Sequence, residues 1–239
     1  MVFYRARSPQ NSHIAAVVPA KGTSKRLPGK NLALINGEPL VTRKIRQLKD
    51  SECFEAIYVA TDSEEIAEIA GTEGCKVLWR RPEWADDEKA KSLSETIAYL
   101  ASQVQEPHLY WAQCTSPFVD SSLIKLSISH YFEALGEGYD SLISQQTVAD
   151  FLWQNNFPFN YGLGTAMVRS QDLPQLRRMT FGILLAPTSD VVSWAYYHGP
   201  NPKTMLLDKL QSLDIDDEFE FQIAVYFARP NGLESRAPG

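Results

Sequence analysis

The residues best suited to chemistry stand close together near the start of the chain, in Pro19-Ala20-Lys21-Gly22-Thr23-Ser24-Lys25-Arg26-Leu27-Pro28-Gly29-Lys30-Asn31. Four cations, Lys21, Lys25, Arg26 and Lys30, share this stretch with two glycines and two small hydroxyls, in a protein of formal net charge −6. Cations packed so densely repel one another unless something negative sits among them. Flexible backbone N–H groups beside Lys and Arg form a cradle for phosphate. The chemistry this suits is binding of a phosphate-rich ligand, a nucleotide first of all. A solvated basic loop is the plainer alternative. The spacing is not that of a P-loop, because six residues separate Gly22 from Gly29 and Asn31 replaces the hydroxyl that would hold magnesium. Gly-x-Gly-x-x-Gly is absent as well.

A second group of chemical interest is Asp214-Ile215-Asp216. On a strand, residues two apart share a face, so both carboxylates point together while Ile215 enters the core. Two adjacent like charges are costly unless water or a cation relieves them. Magnesium is the natural partner, since it takes carboxylate oxygens together with phosphate and water. A solvated acidic turn is the alternative. Two further polar stretches follow apolar runs. Gln113-Cys114-Thr115-Ser116-Pro117 ends one, and Arg80-Arg81-Pro82 ends another. Either can touch a ligand or serve as a simple turn. There is no Gly-x-Ser-x-Gly elbow, and His13, His108, His130 and His198 fall in no catalytic pattern.

These groups need elements to position them. Ile14 to Val18 is an apolar run that reads as a buried strand, so the basic loop opens from a strand's carboxyl end. Open α/β sheets bind ligands there. Pro39 to Leu48 is a helix, with Leu40, Val41, Ile45 and Leu48 at helical spacing. Ala56 to Ala60 is a strand, and Asp62-Ser63-Glu64-Glu65 starts a helix with a capping side chain and Glu at the third position. Lys76 to Trp79 is a short strand. Ser92-Leu93-Ser94-Glu95 is a capping box for a helix through Val104. His108 to Ala112 is a strand, Ser121 to Leu135 a helix, and Ser141 to Ser144 a strand.

Strands alternating with helices imply parallel pairing and a layered α/β/α sandwich. The alternation breaks near Gln145. Phe151 to Leu163, with Phe151, Trp153, Phe157, Phe159 and Tyr161, reads as a hairpin or arm whose aromatics serve either as local core or as a subunit contact. Regular structure returns at Thr180 to Ala186 and ends with a strand at Leu213 to Asp216 and a helix from Glu218 to Phe227.

A length of 239 residues suits one large α/β domain with an arm. The acidic balance argues against a general nucleic-acid binder. Cys53, Cys75 and Cys114 are far apart and odd in number, without zinc or redox spacing, so reduced thiols in the cytoplasm are expected. No apolar run approaches membrane-spanning length. Residues 1–13 and 229–239 are expected to be loose tails around a domain at 14–228.

Taken in order, these segments resemble the acylneuraminate (sialic acid-type) cytidylyltransferases. That family opens with Pro-Ala-Arg-Gly-Gly-Ser-Lys-x-x-Pro-x-Lys-Asn, and this chain runs from Pro19 to Asn31 in the same pattern. Ala60-Thr61-Asp62-Ser63 is similar to its Ser-Thr-Asp-Ser, Arg81-Pro82 to its Arg-Pro, and Gln113-Cys114-Thr115-Ser116-Pro117 to its Gln-Pro-Thr-Ser-Pro. Arg169-Ser170-Gln171-Asp172-Leu173-Pro174 is similar to its Arg-x-Gln-Asp-Leu-Pro arm, and Asp214-Ile215-Asp216 to its closing Asp-Ile-Asp. The chain departs from the pattern at Lys21, where the family has Arg, at Val119-Asp120, where an arginine is common, and at Leu184, where the family has a tyrosine near the sugar.

The resemblance implies a Rossmann-like three-layer nucleotidyltransferase with an inserted dimerisation arm. It implies transfer of CMP from CTP to an acidic 2-keto sugar, with release of pyrophosphate. A Kdo-type acid, another sugar, or nucleotide binding without catalysis are the alternatives. By the same resemblance Lys25, Asp214 and Asp216 are catalytic, with magnesium on Asp214 and Asp216. Lys21, Gly22, Ser24, Lys30, Asn31, Arg81 and Gln113 contact nucleotide or sugar. Arg169 and Gln171 belong to an arm that reaches a neighbouring subunit of a homodimer, where Arg169 pairs with the sugar carboxylate. No nucleic-acid or membrane partner is implied.

Overall fold

The computed structural model describes residues 13–81, 92–164 and 167–229. Strand β1 (Ile14–Pro19) is buried on both faces, as its unbroken apolar run requires. Ile14, Ala16 and Val18 face one layer of helices and Ala15 and Val17 the other. Beside β1 run β4 (Ala56–Thr61) and β6 (His108–Trp111), both parallel to it, and β5 (Lys76–Trp79) pairs parallel with β4. Two short hairpin strands, β2 (Leu34–Ile35) and β3 (Glu38–Pro39), connect the basic loop to the first helix.

On the far side, β10 (Leu176–Pro187) pairs antiparallel with both β6 and β7 (Ser141–Val148), and β11 (Pro202–Leu206) pairs parallel with β7. The seven-stranded order is β11-β7-β10-β6-β1-β4-β5. Expected parallel pairing therefore holds except at β10, where the chain returns from the arm and enters the sheet reversed.

Helices α1 (Leu40–Asp50), α2 (Glu64–Thr72), α4 (Ser121–Gly136) and α6 (Glu218–Ala228) cover one face, and α3 (Leu93–Ser102) and α5 (Thr188–Trp194) cover the other. The first core joins Leu40, Ile45, Leu48, Ile124 and Tyr131. The second joins Ile97, Leu100, Trp111 and Val191. The result is an α/β three-layer sandwich. Among the described residues no helix is long and apolar enough to cross a membrane.

The capping box at Ser92 and Glu95 is present in full. At α2 the cap is Ser63, whose hydroxyl accepts from Ile66 N–H, and Asp62, the expected start, does other work described below. The expected strand at Leu213–Asp216 is not part of any sheet. It is an extended segment whose Ile215 N–H donates to Thr115 O at 2.8 Å. Sequence reading missed α5 and β11 altogether.

The arm is a hairpin of β8 (Trp153–Gln154) and β9 (Phe157–Pro158), closed by Asn155 and Asn156 at φ 49° and 67°. Asn tolerates this left-handed region better than most residues. The reading of its aromatics as local core is corrected for three of them, since Trp153, Phe157 and Phe159 are exposed. Of the expected tails, 1–12 and 230–239 lie outside the described residues. His13 is tied in, since its carbonyl accepts from His108 N–H and its ring meets Glu55.

Candidate active site

The basic loop leaves β1 at its carboxyl end, and three tethers decide its shape. The first is Asp62, at the end of β4, whose carboxylate accepts the Gly22 N–H at 2.8 Å. The approach is so close that a Cβ on Gly22 would lie 2.9 Å from Ser63 Cβ. Here glycine is required for room. The second is Asn31, 8% exposed, whose Nδ2 donates to Lys21 O at 2.8 Å and closes the loop on itself. Asn31 therefore braces the cradle through one N–H of its amide.

The third tether is Lys30. It follows Gly29, which sits at φ 65° and starts a single 3-10 turn at Lys30–Leu32. Lys30 Nζ donates to Ile215 O at 2.8 Å and to Asp216 at 3.3 Å. Lys30 thus latches the basic loop to the acidic segment. Ser24 likewise shapes the loop, its hydroxyl accepting from Leu27 N–H at 3.4 Å. Lys25 and Arg26 are exposed on the loop, and Arg26 Nη2 reaches Asp216 at 2.8 Å.

The two carboxylates thus have different fates. Asp216 is paired with Arg26 and Lys30, and its backbone N–H donates to Glu220 at 2.7 Å. Asp214 is half-buried, and its Oδ1 is fully buried with no hydrogen-bond partner. Burial pushes its carboxyl above the ordinary aspartate value. The nearby Asp216 charge adds to this, while Thr115 and Lys30 oppose it. An orphaned carboxylate oxygen with a second carboxylate beside it fits a hard divalent cation. Among the described residues no group of three or more acidic, His or Cys side chains could hold a metal alone. Such a cation would need oxygens from its substrate.

Hydrogen bonds join Lys21, Gly22, Lys30, Asn31 and Asp216 to the ends of β4 and β6, with Ser24 and Lys25 on the same loop and Asp214 on the same acidic segment. Gln113 stands half-buried just beyond β6, in the loop whose Thr115 O holds Ile215. Arg81 is exposed beyond the end of β5, and its neighbour Pro82 lies outside the described residues. Arg169 and Gln171 are on the arm and exposed. Arg169 makes a two-pronged ion pair with Asp172 of the same arm, at 2.7 and 3.1 Å.

Two positions that depart from the family pattern are structural. Val119 is fully buried and Asp120 caps α4 through Leu123 N–H. Leu184 is 1% exposed and packs in the second core with Trp111, so it lines no open site.

Sequence reasoning missed three residues here. Asp62 carried a signal, its place right after a strand. Thr115 stood inside a quoted motif without a role. Lys44 of α1, buried beneath the loop after β6, gave none.

Known structures share this fold. A CMP:2-keto-3-deoxy-manno-octonic acid synthetase complexed with CTP superimposes with a TM-score of 0.66 at 15% identity, over 90% of this chain and 97% of that one. A 4-diphosphocytidyl-2C-methyl-D-erythritol synthase from Anaerococcus prevotii gives 0.66 at 10% identity, over 92% and 98%.

In sequence, the chain is 35% identical over 150 residues to N-acylneuraminate cytidylyltransferase A of Danio rerio, covering 61% of this chain and 33% of that one. It is 37% identical over 121 residues to the CMP-N,N'-diacetyllegionaminic acid synthase of Legionella pneumophila, covering 48% and 51%. It is 25% identical to the pseudaminic acid cytidylyltransferase of Campylobacter jejuni, covering 88% and 94%. The chain spans a third to a half of the length of the first two. The family model described as cytidylyltransferase matches residues 15–152, more than half of this sequence, and the chain belongs to that family.

Proposed function

We propose that this protein transfers CMP from CTP to an acidic 2-keto sugar of the sialic acid class. The observation that carries this reading is the tethered basic loop. Its backbone and cations stand at the carboxyl end of β1, and an acidic segment is latched to it through Lys30. The names of the relatives suggest the acceptor class, since they are cytidylyltransferases or CMP synthases of acylneuraminic, legionaminic and pseudaminic acids.

In the proposed reaction the sugar's anomeric hydroxyl attacks the α-phosphorus of CTP. The bond to the bridging oxygen breaks, the hydroxyl loses its proton, and pyrophosphate leaves. Such chemistry is mainly positioning and charge neutralisation. Lys21, Lys25 and the loop amides hold the triphosphate. Asp62 and Asn31 fix the shape of the loop, Asp62 by taking the Gly22 N–H and Asn31 by binding the Lys21 carbonyl. Gln113, at the end of β6, orients the nucleotide or sugar, and Arg81 is placed to join it from β5. Asp214 and Asp216 are the residues proposed to hold magnesium. The ion would neutralise phosphate charge and acidify a bound hydroxyl.

The exposed apolar arm supports a homodimer in which Arg169 and Gln171 serve the neighbouring subunit's sugar. The free thiols Cys53, Cys75 and Cys114 accord with the cytoplasm.

The test is a pyrophosphate-release assay with CTP against a panel of 2-keto acid sugars, including sialic, legionaminic, pseudaminic and Kdo-type acids. Release that needs both CTP and one of the nine-carbon acids is expected. Tight CTP binding with no release across the panel would overturn catalysis and leave a nucleotide-binding protein of the same fold.

A further inference from the structure

Helix α1 carries a cation where its pattern calls for hydrocarbon. Leu40, Val41, Ile45 and Leu48 form its buried stripe, and Lys44 stands inside that stripe, 2% exposed. Its Nζ donates to Ser116 O at 2.9 Å and to Val119 O at 3.0 Å. One turn away, Gln47 Nε2 donates to Pro117 O at 2.8 Å. Side chains of a single helix thus grip the carbonyls of one short loop. A buried ammonium is dearer than a methionine of similar shape, so filling the core does not account for it.

The gripped loop runs from Gln113 to Val119. Its Thr115 carbonyl receives the Ile215 N–H, between the two aspartates, and Thr115 also acts on Asp214. The line of contact therefore runs from α1 to the loop, and from the loop to the acidic segment.

We propose that Lys44 is a positioning residue, whose buried ammonium sets the loop after β6 and thereby seats the 213–216 segment against the basic loop. The groups that face it are Cys114, Arg43 and Asp120. Burial pushes the Lys44 amine down to about 7 and the Cys114 thiol up to about 12. No carboxylate is hydrogen-bonded to Lys44 among the described residues; its bonded partners are backbone carbonyls. An amine keeps N–H donors in either charge state, so the grip does not rest on titration.

The test is hydrogen exchange on the full-length protein without ligand, comparing wild type with Lys44→Met. This variant keeps the buried stem and removes the donors. Peptides covering 113–120 and 213–217 are expected to exchange roughly 10-fold faster or more, while helix Leu93–Ser102 is unchanged. Unaltered exchange at 213–217 would overturn the proposal, and so would equal acceleration throughout the molecule. Should Lys44→Met fail to fold, Gln47→Leu tests the same grip from its second donor. Faster exchange in the same two peptides supports it and no change refutes it. In the pyrophosphate assay, Lys44→Met should lower kcat roughly 10-fold with little change in the KM for CTP. That readout rests on the proposed function, whereas the exchange experiment does not.

Discussion

A buried carboxylate oxygen left without a hydrogen bond is costly, and Asp214 is in that position at its Oδ1, although Thr115 bonds the same carboxyl. Asp216 is not, because Arg26 and Lys30 already hold it. The pair is thus half neutralised by the protein, and a cation arriving with its triphosphate would relieve the other half. Replacing Asp216 by Asn removes one charge with almost no change of shape. The Arg26 pair it breaks is largely exposed, and Lys30 keeps its shorter bond to Ile215 O, so the melting temperature should change little. Turnover should fall about 10²-fold, roughly 3 kcal/mol of lost transition-state stabilisation. Steady-state pyrophosphate release checks this, and normal turnover would remove the pair from the catalytic site.

Gly22 tests the basic loop in the same way. Its absent Cβ would meet Ser63 Cβ at 2.9 Å, so Gly22→Ala must push the loop off Asp62. Calorimetry should show CTP binding weakened by about 1–3 kcal/mol, the scale of one or two charge-assisted hydrogen bonds.

At the scale of elements, α1 binds two demands into one helix, a packed face and a polar grip. Because burial lowers the Lys44 amine to about 7 while the unfolded chain titrates near 10.5, the unfolded state binds more protons between those values. Stability should therefore rise with pH from about 7 to about 10.5, by up to roughly 5 kcal/mol if Lys44 acted alone. Other groups titrate in that range, so the quantity to measure is the difference between wild type and Lys44→Met by denaturant unfolding. The rise should be smaller in the variant. Equal slopes would mean that burial does not lower the Lys44 amine.

The same helix shows what a sequence can and cannot disclose. Its ends and buried stripe were legible, because Leu40, Val41, Ile45 and Leu48 repeat at the helical period. The role of Lys44 was not, since the carbonyls that receive it lie more than 70 residues away. The Leu-Asp-Ile-Asp alternation at 213–216 reads as a strand for a sound reason, its period of two. Its backbone partners, however, are Thr115 and Glu220 rather than a neighbouring strand. Strand β11 begins with proline and is half-buried at the sheet's edge, and α5 is too short to show a period, so neither left a pattern to read.

At the scale of the whole molecule, the sheet order follows from the alternation of apolar runs with amphipathic helices, and the one reversed strand follows from the arm. Strands β7 and β10 pair alone from Gln146↔Arg178 to Val148↔Leu176, a ribbon that leads to the hairpin. The arm then exposes Trp153, Phe157, Phe159, Leu163 and Met167, with Phe157 and Met167 at 70% and 75%. A monomer seldom keeps so many large apolar groups together in water, and a second copy of this chain is the proposed cover. Light scattering at micromolar concentration should give about twice the chain mass of 26.9 kDa. The double variant Trp153→Ser, Phe157→Ser should return close to the single-chain mass. Its circular dichroism should match wild type, because neither side chain is part of either core. If Arg169 and Gln171 serve the neighbour's sugar, the dissociated variant should also show a raised sugar KM with CTP binding intact. A wild-type mass near 26.9 kDa would contradict the dimer, and a dissociated variant with an unchanged sugar KM would return Arg169 to a purely local pairing with Asp172.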